Sequence, residues 1–240
     1  MKKSAIVFTM FLAFIVVSKS YGQDSIKANY RDFLTELNVN LFQGELSLSN
    51  ALKEVKGRYM FEKDKALRGG LIIDSKRETG EELTMSKKKY TRTSTLIGFS
   101  VGIEKHFPGT KRLSPYIGCD LFVANKWTKE KDTFYGSTAA TINGAWEETQ
   151  IVSTTGMLST TTTTYAERGY FSWGVNFISG FDFYIAKHLF VGYEVEFGLT
   201  GKQYSKIEES GSYKNTISPE SNEFSIGPRI VNGIRIGYVF

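Results

Sequence analysis

From Phe33 to Phe240 the chain repeatedly sets large apolar side chains at every second position, with small or charged residues between. A period of two predicts strands with one apolar face. The clearest run places Phe171, Trp173, Val175, Phe177, Ser179, Phe181, Phe183 and Ile185 against Ser172, Gly174, Asn176, Ile178, Gly180, Asp182 and Tyr184. The chain end does the same, with Phe224, Ile226, Pro228, Ile230, Asn232, Ile234, Ile236, Tyr238 and Phe240 alternating with Ser225, Gly227, Arg229, Val231, Gly233, Arg235, Gly237 and Val239. Eight such strands are predicted, over about 33–41, 53–62, 66–74, 90–107, 116–127, 171–185, 189–199 and 224–240.

The links between them alternate in length. Those after the second, fourth and sixth strands are short: Glu62-Lys63-Asp64-Lys65, Pro108-Gly109-Thr110 and Ala186-Lys187-His188. Such tight links predict antiparallel hairpins. The other links are longer: Gln43 to Asn50, Ser75 to Lys89, Thr128 to Glu167 and Lys202 to Asn222. The longest carries the threonine-rich run Ser159 to Thr164, whose strand propensity predicts a hairpin rather than a helix.

The expected fold is all-β: an eight-stranded antiparallel transmembrane up-and-down β-barrel with short periplasmic turns and long extracellular loops. Strands of ~9–11 residues cross an apolar layer, and most segments here reach that length. One face is uniformly large and apolar. The other mixes glycine with Glu36, Arg58, Arg68, Glu104, Asp120, Asp182, Glu194, Glu196, Arg229 and Arg235. If the apolar face meets lipid, these charges line a narrow interior and persist there only as pairs. They are expected to form a plug, because eight strands leave room for little more than side chains. A soluble sandwich with core aromatics is the competing fold.

Aromatic positions add interfacial girdles to the picture. Tyr59, Phe61, Phe107, Phe183, Phe190, Tyr193, Tyr238 and Phe240 fall near the predicted periplasmic ends, with Trp127 and Phe171 towards the outer ends. The N-terminus is different in kind. Lys2 and Lys3 precede an apolar run from Ala5 to Val17 and a small-residue exit, which reads as a secretory signal peptide over residues 1–22. Residues 23–32 are a short polar periplasmic lead-in, and 33–240 form the barrel domain. Both barrel termini are then periplasmic and the location is the cell outer membrane. With Lys2, Lys3 and Lys19 removed, the net charge of +5 falls to +2, so the basic balance does not argue for nucleic acid. The single cysteine, Cys119, excludes an intramolecular disulfide.

Three stretches carry a resemblance: Gly57-Arg58-Tyr59, Ala66-Leu67-Arg68-Gly69-Gly70-Leu71, and the ending Gly233-Ile234-Arg235-Ile236-Gly237-Tyr238-Val239-Phe240. Together with the leader, they resemble the small outer-membrane β-barrel proteins of Bacteroidota, with OmpA/OmpX-like barrels as better-known relatives. The resemblance implies outer-membrane lipids and the barrel assembly machinery as partners, the latter meeting Gly233, Ile236, Tyr238 and Phe240. It implies little about a particular role.

The chemistry of the residues favours a structural or surface-interaction protein, anchored by the barrel and presenting its long loops to an unidentified extracellular ligand. An outer-membrane enzyme acting on lipid or peptide is the first alternative. It would need a histidine near the outer rim, whereas His106 and His188 fall beside periplasmic turns. Asp182, Glu194 and Glu196 share a face and could in principle do acid–base work, but arginine pairing accounts for them better. A narrow channel or small-molecule transporter is the second alternative. Gly98, Gly102, Gly118 and Gly174 would open its path, while Tyr116, Phe122 and Tyr184 would fill it. No catalytic, cofactor or metal residue is assigned from the sequence; the expectation is a monomeric non-enzyme without cofactors.

Overall fold

The structure is a computed structural model that describes residues 26–39, 54–81, 88–134, 137–153, 159–211, 214–230 and 234–240. The leader predicted over 1–22 and the loop predicted at 43–50 lie outside these residues. The described residues are all-β and contain no helix. Eight strands carry the main sheet: β1 (Phe33–Val39), β2 (Glu54–Met60), β3 (Lys65–Glu81), β4 (Lys88–His106), β5 (Leu113–Phe134), β9 (Tyr170–Ala186), β10 (Leu189–Tyr204) and β14 (Ile234–Val239). Between and beside them lie β6 (Ser137–Asn143), β7 (Trp146–Ser153), β8 (Ser159–Ala166), β11 (Ile207–Ser210), β12 (Lys214–Ser218) and β13 (Ser221–Ile230).

All pairings are antiparallel. They pass from β1 through β2, β3, β4, β5, β9 and β10 to β14, and β14 pairs in turn with β1. β13 and β14 lie end to end along β10: Val191 faces Ile236, whereas Val195 faces Ile230. Four steps along β10 therefore match six along the chain end. The difference is even, so the register change leaves the facing of the alternating residues intact. The predicted single strand 224–240 is thus two strands.

The alternation read from the sequence is what sorts the two faces. Phe99, Ile103, Trp173 and Phe177 are 58%, 60%, 52% and 52% exposed, respectively, although they are among the largest apolar side chains present. Their sequence neighbours Glu104, Ser172, Asn176 and Ile178 are buried. Phe190 departs from the expected girdle. It shares the parity of Gly192 and Glu194 and so faces the buried side, where it packs with Leu34, Met60, Ala66, Tyr184 and Val239. Ile26 and Ala28 of the lead-in cover this cluster, and Arg31 N–H donates to the Met60 carbonyl at 2.8 Å. The lead-in is therefore tied to the sheet rather than trailing from it.

Strands run well beyond the apolar segments. The predicted loops 75–89, 128–167 and 202–222 are largely strand: β3 continues to Glu81, β4 starts at Lys88, β5 reaches Phe134, and β10 reaches Tyr204. Their sequences alternate threonine with charge instead of apolar with polar residues. Such residues sustain a ladder, but they leave no hydrophobic period to read. On this extension β6 pairs with β5, β11 with β6 and β12 with β11, while β7 and β8 form a separate hairpin. Gly144 makes the corner before β7. Its φ is +94°, and a Cβ there would sit 2.2 Å from the Lys206 carbonyl oxygen.

One tryptophan docks the β7–β8 hairpin. Trp146 is buried, and its indole N–H donates to the Thr93 carbonyl at 3.2 Å. Glu147 N–H donates to Glu130 Oε2 at 2.7 Å, and Arg92 donates to the Glu147 carbonyl. Removing the indole takes away both the packing and the central hydrogen bond. Trp146→Ala is expected to speed proteolytic cleavage of this hairpin several-fold while the main sheet unfolds at its usual temperature. Limited proteolysis beside a thermal melt reads both; an unchanged cleavage rate would contradict the docking.

Candidate functional site: a buried ion network

Each of the eight main strands sends one polar side chain to a common point on the buried face. Glu36 comes from β1, Arg58 from β2, Arg68 from β3, Glu104 from β4, Tyr116 from β5, Asp182 from β9, Glu194 from β10 and Arg235 from β14; all are 0–4% exposed. The period-two facing delivers them. Each belongs to the alternate set opposite the apolar positions, so the pairing of the strands brings their tips together.

The three guanidinium groups share the four carboxylates. Arg58 Nη1 lies 2.7 Å from Asp182 Oδ2 and 3.0 Å from Glu104 Oε1, and its Nη2 lies 3.0 Å from Glu36 Oε2. Arg235 lies 2.8 Å from Glu36, 3.0 Å from Asp182 and 3.3 Å from Glu194. Arg68 reaches Glu104 at 2.8 Å, Glu194 at 3.1 Å and Asp120 at 3.2 Å. Tyr116 is the hub that ties them. Its hydroxyl donates to Glu194 Oε2 at 2.7 Å, and the carbons of Arg58, Arg68 and Arg235 stand 5.6, 5.9 and 5.4 Å from its ring centroid. Lys56 extends the network to Glu194 at 3.3 Å and Glu196 at 3.6 Å.

Fixed forks explain why arginine rather than lysine occupies the centre. A guanidinium presents several donors in one plane and bridges carboxylates from different strands. The arrangement is not fully satisfied: Glu36 Oε1, Arg58 Nε and Arg235 Nε have no hydrogen-bond partner among the described residues. Burying such groups is costly, so the network serves cross-strand connection at some expense in stability.

The network divides the buried space. On one side a cavity of about 600 Å³ is lined by Lys63, Asp64, Lys105, His106, Ser114 and Tyr184. On the other a smaller one of about 280 Å³ is lined by Lys56, Ser100, Asp120, Asn176, Glu196 and Lys202. The spaces beside the glycines proposed to open a path between them are filled by their neighbours. A Cβ on Gly102 would lie 2.0 Å from Asp120 Oδ1, one on Gly174 2.6 Å from the Phe122 ring, and one on Gly98 2.9 Å from Ala124 Cβ.

The sequence expectations meet this site unevenly. Glu36, Arg58, Arg68, Glu104, Asp120, Asp182, Glu194 and Arg235 are brought together; Glu196 sits at the edge with Lys56. Arg229 pairs with Glu196 through the backbone, and its side chain is outside the described residues. His188 lies in the β9–β10 turn, bonded to the Val239 carbonyl at 2.8 Å and stacked on Tyr238. Cys119 is partly exposed on the apolar face.

His106 is not the ordinary turn residue expected. It ends β4, is buried, and lies 2.9 Å from both Ser114 Oγ (through Nδ1) and Glu104 Oε1 (through Nε2). Serine, imidazole and carboxylate in line are the parts of a nucleophile relay. Here, however, Glu104 is already bound by Arg58 and Arg68, so its oxygens serve the network rather than one imidazole. The chain of bonds ties β4 to β5 at the foot of the network. Its sequence signal was the shared parity of His106 and Glu104. Among the described residues, no group of His, Cys, Asp and Glu side chains is arranged to hold a metal ion. No family model matches the chain, and a search of curated proteins finds no match either.

Proposed function

We propose that the chain is an eight-stranded transmembrane β-barrel of the outer membrane, similar to the small OmpA/OmpX-like barrels, which anchors a folded extracellular surface for interaction. The observation that carries this reading is the inversion of burial: large apolar side chains face out while arginines and carboxylates are enclosed. Exposed contiguous apolar surface on this scale is not tolerated in water. Lipid is the environment that makes it favourable, and it also requires every strand edge to be paired. The ring of pairings from β1 round to β14 supports such closure. The strand extensions β3–β5, β9 and β10, with β6–β8 and β11–β12, then stand above the belt as a structured platform.

The network favours an anchor over a channel, since it spans the enclosed space with cross-strand bonds and the small positions beside it are occupied. An enzymatic role gains no support from Glu104 and His106, for the reason given above. Partners on this reading are outer-membrane lipids, the assembly machinery and an extracellular ligand of the platform.

An epitope inserted after Ser153, in the β7–β8 connection, tests the orientation. It is expected to bind antibody on intact cells expressing the full chain. Binding only after the outer membrane is permeabilised would overturn the surface role.

A further inference from the structure

The outward face above the apolar belt changes character over one step of the ladder. Register places Ser75, Thr95 and Trp127 in one row, Arg77, Thr93 and Lys129 in the next, and Thr79, Thr91 and Lys131 in the row beyond. These three rows hold three cations and no carboxylate. Arg77, Lys129 and Lys131 are exposed, and their side chains have no hydrogen-bond or ion-pair partner among the described residues. The nearby carboxylates are already engaged: Glu81 with Lys89 at 2.5 Å and Glu208 with Lys206 at 3.1 Å. Beside the first two rows a surface groove of about 390 Å³ is lined by Thr93, Trp127, Lys129, Asn143 and Lys206, among others.

We propose that this groove binds the phosphate-bearing headgroup of an outer-leaflet lipid, an inference that rests on the membrane reading above. Position and charge agree on the occupant. Trp127 marks the interface, where aromatic rings settle at headgroup depth, and the apolar belt below it would take the acyl chains. Lys129 lines the groove, Arg77 shares its row on β3 and Lys131 stands one row beyond, so that all three supply positive charge just above that level. Thr93 and Asn143 add hydrogen-bonding groups for phosphate oxygens. A soluble protein ligand would have no need of a cationic row flush with lipid.

The test uses the full chain in phosphatidylcholine nanodiscs with bisphosphorylated lipid A as a minor component, analysed by native mass spectrometry. The wild-type chain is expected to retain lipid A over phosphatidylcholine, and R77Q/K129Q/K131Q to lose that retention by at least about ten-fold. The charge-preserving variant R77K/K129R/K131R is expected to keep it. Equal retention by the neutralised variant, or no preference over phosphatidylcholine, would overturn the site. Displacement of lipid A by millimolar inorganic phosphate would assign the groove to a soluble anion and overturn the lipid. Incorporation into the nanodisc is scored first and separately. A chain that fails to enter contradicts the membrane reading, and the lipid site falls with it, whereas normal entry without lipid selectivity removes the site alone.

Discussion

Arg58→Ala is expected to lower the unfolding free energy of the folded chain in detergent by about 3–5 kcal/mol, the range for breaking a buried ion pair by removing one partner. Arg58 is 1% exposed and neutralises parts of Glu36, Glu104 and Asp182. Its loss leaves three carboxylates on three strands short of charge, and it also removes the cation from the face of Phe190, 5.0 Å away. Arg58→Lys retains the charge but not the fork, so an intermediate loss is expected. Because Asp182 contacts both Arg58 and Arg235, Arg58→Ala and Asp182→Ala are expected to be non-additive, the double variant costing less than the two losses combined. Equilibrium unfolding of the unaltered chain and the four variants gives these quantities. A loss below about 0.5 kcal/mol for Arg58→Ala, typical of exposed positions, would contradict a structural network.

The second large effect is on the opposite face. Phe177 lies in the middle of β9, between Cys119 of β5 and Phe197 of β10. If that face meets lipid, Phe177→Arg puts a charge near the bilayer midplane at a cost of about 2–4 kcal/mol, and the folded fraction in vesicles falls accordingly. Gln203→Arg, at an exposed position on the extension of β10, is expected to fold as the unaltered chain does. In water the order of the two effects would be different: an arginine at an exposed site such as Phe177 would cost little. Folding titrations in vesicles thus separate a lipid-facing residue from a water-facing one.

The facing of residues was legible in the sequence because alternation needs no knowledge of partners. Phe177 and Trp173 against Asn176 and Ser172 could be read from order alone, and so could the parity that sends Glu36, Arg58, Arg68, Glu104, Asp182, Glu194 and Arg235 inward. What joins them was not legible. The hub role of Tyr116 and the part played by Lys56 depend on pairing register, which no single strand contains. Strand length was hidden for another reason. Above the belt, Ser75 to Glu81 is hydrated and Thr128 to Phe134 buries Thr128, Glu130 and Asp132 rather than apolar side chains, so threonine and charge sustain the ladder with no apolar period. Phe190 was placed by its nearness to the turn, although its parity with Gly192 and Glu194 sets it on the buried face. The break between β13 and β14 escaped notice because an even register change preserves the very alternation used to find strands.

The most direct test of an apolar belt facing lipid around an enclosed polar interior is spin-label accessibility along β9. With Cys119 replaced by alanine, single cysteines at 173 through 179 are labelled in the vesicle-inserted chain, and relaxation by oxygen is compared with that by a water-soluble nickel chelate. The expected result is a period of two: positions 173, 175, 177 and 179 contact oxygen in the lipid, while 174, 176 and 178 are shielded from both reagents. Strong relaxation by the nickel chelate at 173, 175 and 177 would place that face in water and contradict a membrane barrel.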